Sequence, residues 1–264
     1  MSKKSTDNQG LIIGEIVIVV FITYHRNSVI FIEHMQTRPP ISPDKVPHKH
    51  PIGAKFFITC RLFGAIPVYQ IEQMQYERDH AIRRIDHEDP PRNERMLRIR
   101  NEHKRYFAKF DAVLDRIKTG PMWLQKAEIA QIVVDKLHAM ADGGAFYLIA
   151  YCIMHNHVHM LVDMKRQIDK LRPDEAITDE NYIQVSRLMQ ALKNDISTEA
   201  CTMLELDGYF WQKDNYDHYV RTDQEFQNIA NYILHNPVKA DLVESWDQWK
   251  FSYINPDYFY LINP

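Results

Sequence analysis

Residues Tyr151–Asp163 read YCIMHNHVHMLVD, and the alternation inside that run organises the rest of the chain. Strand side chains alternate faces, so His157 and His159 point one way while Val158, Met160 and Val162 point the other. One face suits an apolar core; the other presents two imidazoles about 7 Å apart by strand rise. Two neutral imidazoles on one rigid strand make a bidentate grip for a divalent metal.

Working outward, Asp142-Gly143-Gly144 is a turn that leads into a strand over about 145–153, and His155–Asn156 form the short link to the histidine strand. Lys55–Leu62 (KFFITCRL) has the aromatic and β-branched content of another strand. The stretch over about 70–118 is highly charged and helical in period, with Tyr106, Phe107, Phe110, Val113, Leu114 and Ile117 on one face. Its interspersed acids make a solvated surface the plainer reading of its arginines and lysines. Helical patterns follow over about 124–140, 182–201 and 223–235. The last opens on the capping-box pattern Thr222-x-x-Glu225, and Pro237 is expected to end it by disfavouring helix at Asn236. Tyr209–Trp211 and Tyr216–Arg221 read as short extended segments. With the charged insertion set aside, the order is β-α-β-β-α-β plus one helix, an α+β chain of ferredoxin-like plan.

The 264 residues suffice for one sizeable domain. Residues 1–50 are set apart as an N-terminal extension, 51–255 as the domain with its helical insertion at about 70–118, and 256–264 as a tail. Leu11–Thr23 is apolar, but too short to span a bilayer and interrupted by Glu15. It reads as an extra β-rich segment, or as sequence upstream of a start at Met35, so no membrane association is expected. Prolines 39, 40, 43, 47 and 51 mark an extended lead-in. A formal net charge of -3 offers no overall electrostatic attraction to nucleic acid, so any such contact rests on local patches. The three scattered cysteines, with no CxxC pair, fit a reducing cytoplasm.

On the final helix Asn228, Tyr232 and Asn236 share a stripe at i, i+4, i+8, apart from the apolar Phe226, Ile229, Ala230 and Ile233. A tyrosine at a helix surface is by itself an ordinary packing residue. Beside a metal held by histidines, it suggests nucleophilic attack on phosphorus.

The run MHNHVHMLV resembles the His-hydrophobic-His motif of HUH single-strand DNA transposases. FWQKDNYDHYVRTDQEFQNIANYILHNPVKADLV (Phe210–Val243) resembles the REP-associated tyrosine transposases of that superfamily. KFFITCRLFGAIP (Lys55–Pro67) is similar to the family's first strand, and LMQALKNDIS (Leu188–Ser197) to its middle helix. The resemblance spans roughly residues 50–255, with 70–118 as an insertion.

It implies His157, His159 and Asn236 as metal ligands, Tyr232 as nucleophile, and Mg²⁺ or Mn²⁺ as cofactor. It also implies Lys193 and Arg221 at the DNA. Trp211 and Tyr219 are candidate base-stacking surfaces at the DNA, with buried packing the alternative for Trp211. The substrate would be single-stranded DNA at hairpins of palindromic repeats, cut through a 5′-phosphotyrosine intermediate for transposition and recombination, by a monomer or homodimer. His155 departs from the pattern, standing where the family has proline. Two rivals stay open: a non-catalytic hairpin-binding relic, and a histidine metallohydrolase. The second is disfavoured because no carboxylate-rich cluster is visible beside the histidines.

Overall fold

The computed structural model describes residues 11–13, 16–18, 21–25, 28–32 and 51–262. The chain divides into two units, Met1–Lys49 and His50–Pro264. In the first, Leu11–Ile13 pairs antiparallel with Ile16–Ile18, and Phe21–His25 with Ser28–Ile32. Most of the proline-marked lead-in lies outside the described residues. The functional argument concerns the second unit.

Its sheet has five antiparallel strands: β1 (Lys55–Arg61), β2 (Tyr147–Ile153), β3 (His157–Asp163), β4 (Tyr216–Val220) and β5 (Ser252–Ile254). Their spatial order is β4-β1-β3-β2-β5. The first four follow the order 4-1-3-2 of a ferredoxin-like sheet, as the sequence plan expects. The long helices are α1 (Val68–Glu88), α2 (Arg92–Arg116), α3 (Ala127–Asp142), α4 (Val185–Leu204) and α5 (Asp223–Lys239).

Alternation along the central strands builds two apolar layers. Phe56, Ile58, Cys60, Val158, Met160 and Val162 pack with α3 and α4 in one core. Phe57, Ala150, Cys152 and Leu161 pack with Phe226, Ala230, Ile233 and Leu234 of α5 in the other. All seven residues of β3 are buried. The histidine face is therefore not an open surface beside the core, as the alternation alone suggested, because α5 and α2 cover it.

Two further departures have physical reasons. Helix α5 does not stop before Pro237 but runs through it to Lys239. A proline inside a helix removes one hydrogen bond, at a cost of about 3 kcal/mol. Here Ile233, Leu234 and Pro237 are all buried, and Ala240 N–H still donates to Asn236 O at 3.0 Å. Packing along the last turn outweighs the lost bond. The other departure is β5, which pairs with β2 through Ala150↔Ile254 and Cys152↔Ser252. Three residues are too short to show a period, so this strand had no sequence signal.

The insertion between β1 and α3 is a hairpin of α1 and α2, broken where Pro90 and Pro91 forbid a continuous helix. Its two ends meet at Gly64 and Gly120, whose φ angles are +74° and +90°. A Cβ at Gly120 would stand 3.1 Å from the Gly64 carbonyl oxygen, so this close crossing needs glycine.

Candidate active site

The register of β1 against β3 places Thr59 opposite His159 and Arg61 opposite His157. Each imidazole is tied by Nδ1. His157 Nδ1 lies 2.6 Å from Asn156 Oδ1, and His159 Nδ1 lies 2.8 Å from Thr59 Oγ1. Asn156 is itself oriented, since its Nδ2 donates to the Leu114 carbonyl of α2 at 3.1 Å. With Nδ1–H donating outward to Asn156, the Nε2 lone pair of His157 faces inward; at His159 the Thr59 hydroxyl can donate to Nδ1 or accept from it. The two Nε2 atoms stand 3.1 Å apart, and both side chains are fully buried.

The third group at this point comes from the insertion. Asp111 Oδ1 of α2 is 3.1 Å from His159 Nε2, and its side chain is 1% exposed. One ligand atom from each of Asp111, His157 and His159 lies within 4.8 Å of the others. Asp115, one turn later, has its Oδ1 3.9 Å from His157 Nε2. The sequence reading found no carboxylates beside the histidines, and these two correct it. Both sit among the aromatic and aliphatic residues of α2, where an acid interrupts an otherwise apolar face. That interruption was the available signal.

Helix α5 supplies the remaining groups. The Tyr232 hydroxyl donates to Asp111 Oδ2. Its ring lies edge-on to His159 at 5.6 Å and to Phe57 at 5.9 Å between centroids. Tyr232 is half-buried and already hydrogen-bonded. Asn236, one turn on, is wholly buried, with neither Oδ1 nor Nδ2 bonded. Lys239 was not singled out from sequence. Its Nζ donates to Asp115 Oδ2 at 2.8 Å, lies 3.4 Å from Asp111 Oδ2, and sits 5.3 Å from the Tyr232 ring centre. Only the helix's passage through Pro237 brings it there.

The electrostatics follow from this crowding. Burial pushes the His157 pKa well down, and the neighbouring His159 adds to the shift, so His157 is neutral. Burial alone would raise Asp111, yet its contact with His159 and the nearby Lys239 ammonium hold it below the usual carboxylate range. Burial and the Asp111 charge push Asp115 up, against the pull of Lys239.

Two imidazole nitrogens and a buried carboxylate oxygen, within 4.8 Å of one another, suit a divalent cation. Nitrogen and oxygen donors of this kind fit Mg²⁺, Mn²⁺ or a later transition metal.

Among the residues placed at DNA from sequence, Lys193 donates to the carbonyls of Gln212 and Lys213 at 2.7 and 2.8 Å, pinning that segment. Trp211 is buried, edge-on to Phe210. Arg221 lies over the Tyr219 ring at 5.1 Å, one residue past the end of β4. These three do not gather at the histidines. Arg61 does: it lies beside His157 in register, its guanidinium 5.0 Å from the Phe110 ring of α2 and its Nη1 buried without a partner. His155 packs on Trp249 at 5.6 Å, half-buried.

No family model matches the chain. Over 119 residues it is 26% identical to a "Putative REP-associated tyrosine transposase" of Haemophilus influenzae, covering 42% of this chain and 61% of that protein. The sequence resemblance to REP-associated tyrosine transposases is thus met in a curated relative. The chain spans less than two thirds of that relative's length. A solved structure described as "Structure of the REP associates tyrosine transposase bound to a REP hairpin" aligns with 77% of this chain and 78% of its own. That alignment has a TM-score of 0.40 and 14% identity.

Proposed function

We propose that the chain is a metal-dependent nickase and strand transferase for single-stranded DNA at hairpin repeats, using Tyr232 as nucleophile. One observation carries this reading: the Tyr232 hydroxyl and the inward nitrogen of His159 converge on one carboxylate, with His157 beside them. His157 and His159 through Nε2, with the Asn236 amide oxygen, would hold Mg²⁺ or Mn²⁺, and Asp111 stands at their edge. Such a cation polarises a phosphodiester and offsets the charge that develops on it.

The chain's own groups do the rest. Tyr232 Oη forms the bond to phosphorus as the bond to the 3′ oxygen breaks. The phenol's proton is lost and the leaving oxygen gains one, giving a 3′-OH and a 5′-phosphotyrosine. Lys239, above the ring, favours the phenolate that a group of pKa about 10 otherwise resists forming at neutral pH. The covalent link keeps the phosphodiester's free energy, so a second 3′-OH can reverse the step and join strands. A cytoplasmic setting goes with this reading; among the described residues no helix is long and apolar enough to cross a membrane.

The test is incubation of purified protein with labelled hairpin oligonucleotides and Mn²⁺, followed by denaturing electrophoresis. The expected result is a protein-linked label that requires metal and disappears in Tyr232→Phe. Cleavage that survives Tyr232→Phe would point to a hydrolase instead. Binding without any adduct would leave a hairpin-binding protein.

A further inference from the structure

The carboxylates of α2 meet four groups that a cleavage step would use: Tyr232, Lys239, His157 and His159. Asp111 Oδ2 accepts from the Tyr232 hydroxyl and faces Lys239 Nζ at 3.4 Å, while its Oδ1 faces His159 Nε2 at 3.1 Å. Asp115 takes the Lys239 ammonium at 2.8 Å and faces His157 at 3.9 Å. An anion held by a phenol and an ammonium, beside two imidazoles, sits where that phenol and ammonium would meet a phosphodiester. Asp111, His157, His159 and Asn236 are wholly buried, so a DNA phosphate cannot reach the two imidazoles while α2 stays in place.

We propose that Asp111 and Asp115 occupy the seat of the scissile phosphodiester, and that the α1–α2 hairpin is a gate which single-stranded DNA displaces. The inference rests on the DNA-cleaving reading above and names the subsite and its regulation.

The build of the hairpin fits a gate. Its two helices are braced to each other by Arg95–Asp86 at 2.8 Å and Lys109–Glu77 at 2.6 Å. Of the 25 residues of α2 only Asp111 and Leu114 are buried, and of the 21 of α1 only Met74 and Ile85. Both stems converge at Gly64 and Gly120, so the pair can swing as one body about a short base. Contacts along one edge hold it shut. Phe107 stacks on Tyr216 at 4.0 Å, Lys104 pairs with Glu225 at 3.1 Å, and Leu114 O accepts from Asn156. The Asp111 and Asp115 contacts add to these, as do Phe107 edge-on to Phe57 at 5.4 Å, Arg61 over Phe110 at 5.0 Å, and Leu114 packed in the core. A closed majority state lowers apparent affinity by the fraction that is open, so weakening the latch must tighten binding.

The experiment is anisotropy of a fluorescein-labelled hairpin oligonucleotide with a single-stranded flank, in EDTA, so that loaded-metal activity is not the readout. Asp111→Asn, Asp115→Asn and the double variant are compared with Glu94→Gln, an exposed acid on the same helix that controls for bulk charge. The expected result is binding about tenfold tighter in the double variant, well beyond the Glu94→Gln control. In the unaltered chain, hairpin DNA should speed amide exchange over residues 107–117. Equal affinities, or protection of 107–117 by DNA, would overturn the proposal. So would a loss of adduct in Asp111→Asn that is repaired by raised Mn²⁺, which would make Asp111 a resident metal ligand. Tighter binding with no adduct in the parent chain would keep the gate and remove the nuclease.

Discussion

β3 and α2 both deliver polar groups to the same few cubic ångströms, by opposite means. All seven residues of β3 are buried, and its two histidines arrive on a strand held by neighbours on both sides. Only two of the 25 residues of α2 are buried, and one of them is the aspartate that binds Tyr232. The strand places its histidines because the sheet leaves it no freedom; the helix places Asp111 through contacts along one edge. A rigid half and a loosely anchored half therefore share one site.

The contrast can be broken at several points. Removing an imidazole should have the largest effect. His159→Ala should abolish the Mn²⁺-dependent adduct and the thermal stabilisation that saturating Mn²⁺ gives, about 2.7 kcal/mol at a hundredfold excess over Kd. Calorimetry with and without metal checks it. A variant that keeps the full metal-induced shift would remove β3 from the metal site.

Next, core truncation should separate the two elements. Met160→Ala on β3 should cost about 2–5 kcal/mol in urea unfolding, while Leu97→Ala, 53% exposed on α2, should stay within about 0.5 kcal/mol. Equal costs would mean that α2 is integral to the global unfolding unit.

Asn156 links the halves, since it orients His157 and bonds Leu114 O of α2. Asn156→Ala should weaken Mn²⁺ binding by about 10–100-fold in titration, as removal of a supporting partner does.

The smallest effect concerns the start of α5. The Thr222 hydroxyl accepts from Glu225 N–H at 3.1 Å, as its capping pattern expects. The Glu225 carboxylate, however, accepts from Arg221 N–H at 3.0 Å rather than from Thr222, and also bonds His218 and Lys104. Burial would raise its pKa, but these partners hold it at about 2. A depressed carboxylate contributes stability above its unfolded pKa and loses it as pH falls through the folded value. Glu225→Gln should therefore cost about 1–2 kcal/mol at pH 7, and the gap should close between about pH 4.5 and pH 2. A gap that stays constant over that range would mean the carboxylate charge is not what stabilises this turn.

The sheet order, the two histidines on one face, and Tyr232 and Asn236 on one helix stripe were all legible in the chain. Each rests on a local period, two for strands and 3.6 for helices, and a period survives without knowledge of the partner. The fifth strand was too short for a period, and the run through Pro237 depended on burial that no local rule contains.

The sequence by itself thus determined the ferredoxin-like plan and the residue types that suit a metal and a phosphorus-directed nucleophile. Tertiary structure alone decided that Asp111 and Asp115, written into a charged helical insertion, turn inward onto those residues, and that Lys239 joins them. A charge on a long amphipathic helix is solvated unless another element covers it. Whether one does is set by how the hairpin folds back from Gly64 and Gly120, a long-range packing choice that no local stretch of sequence encodes.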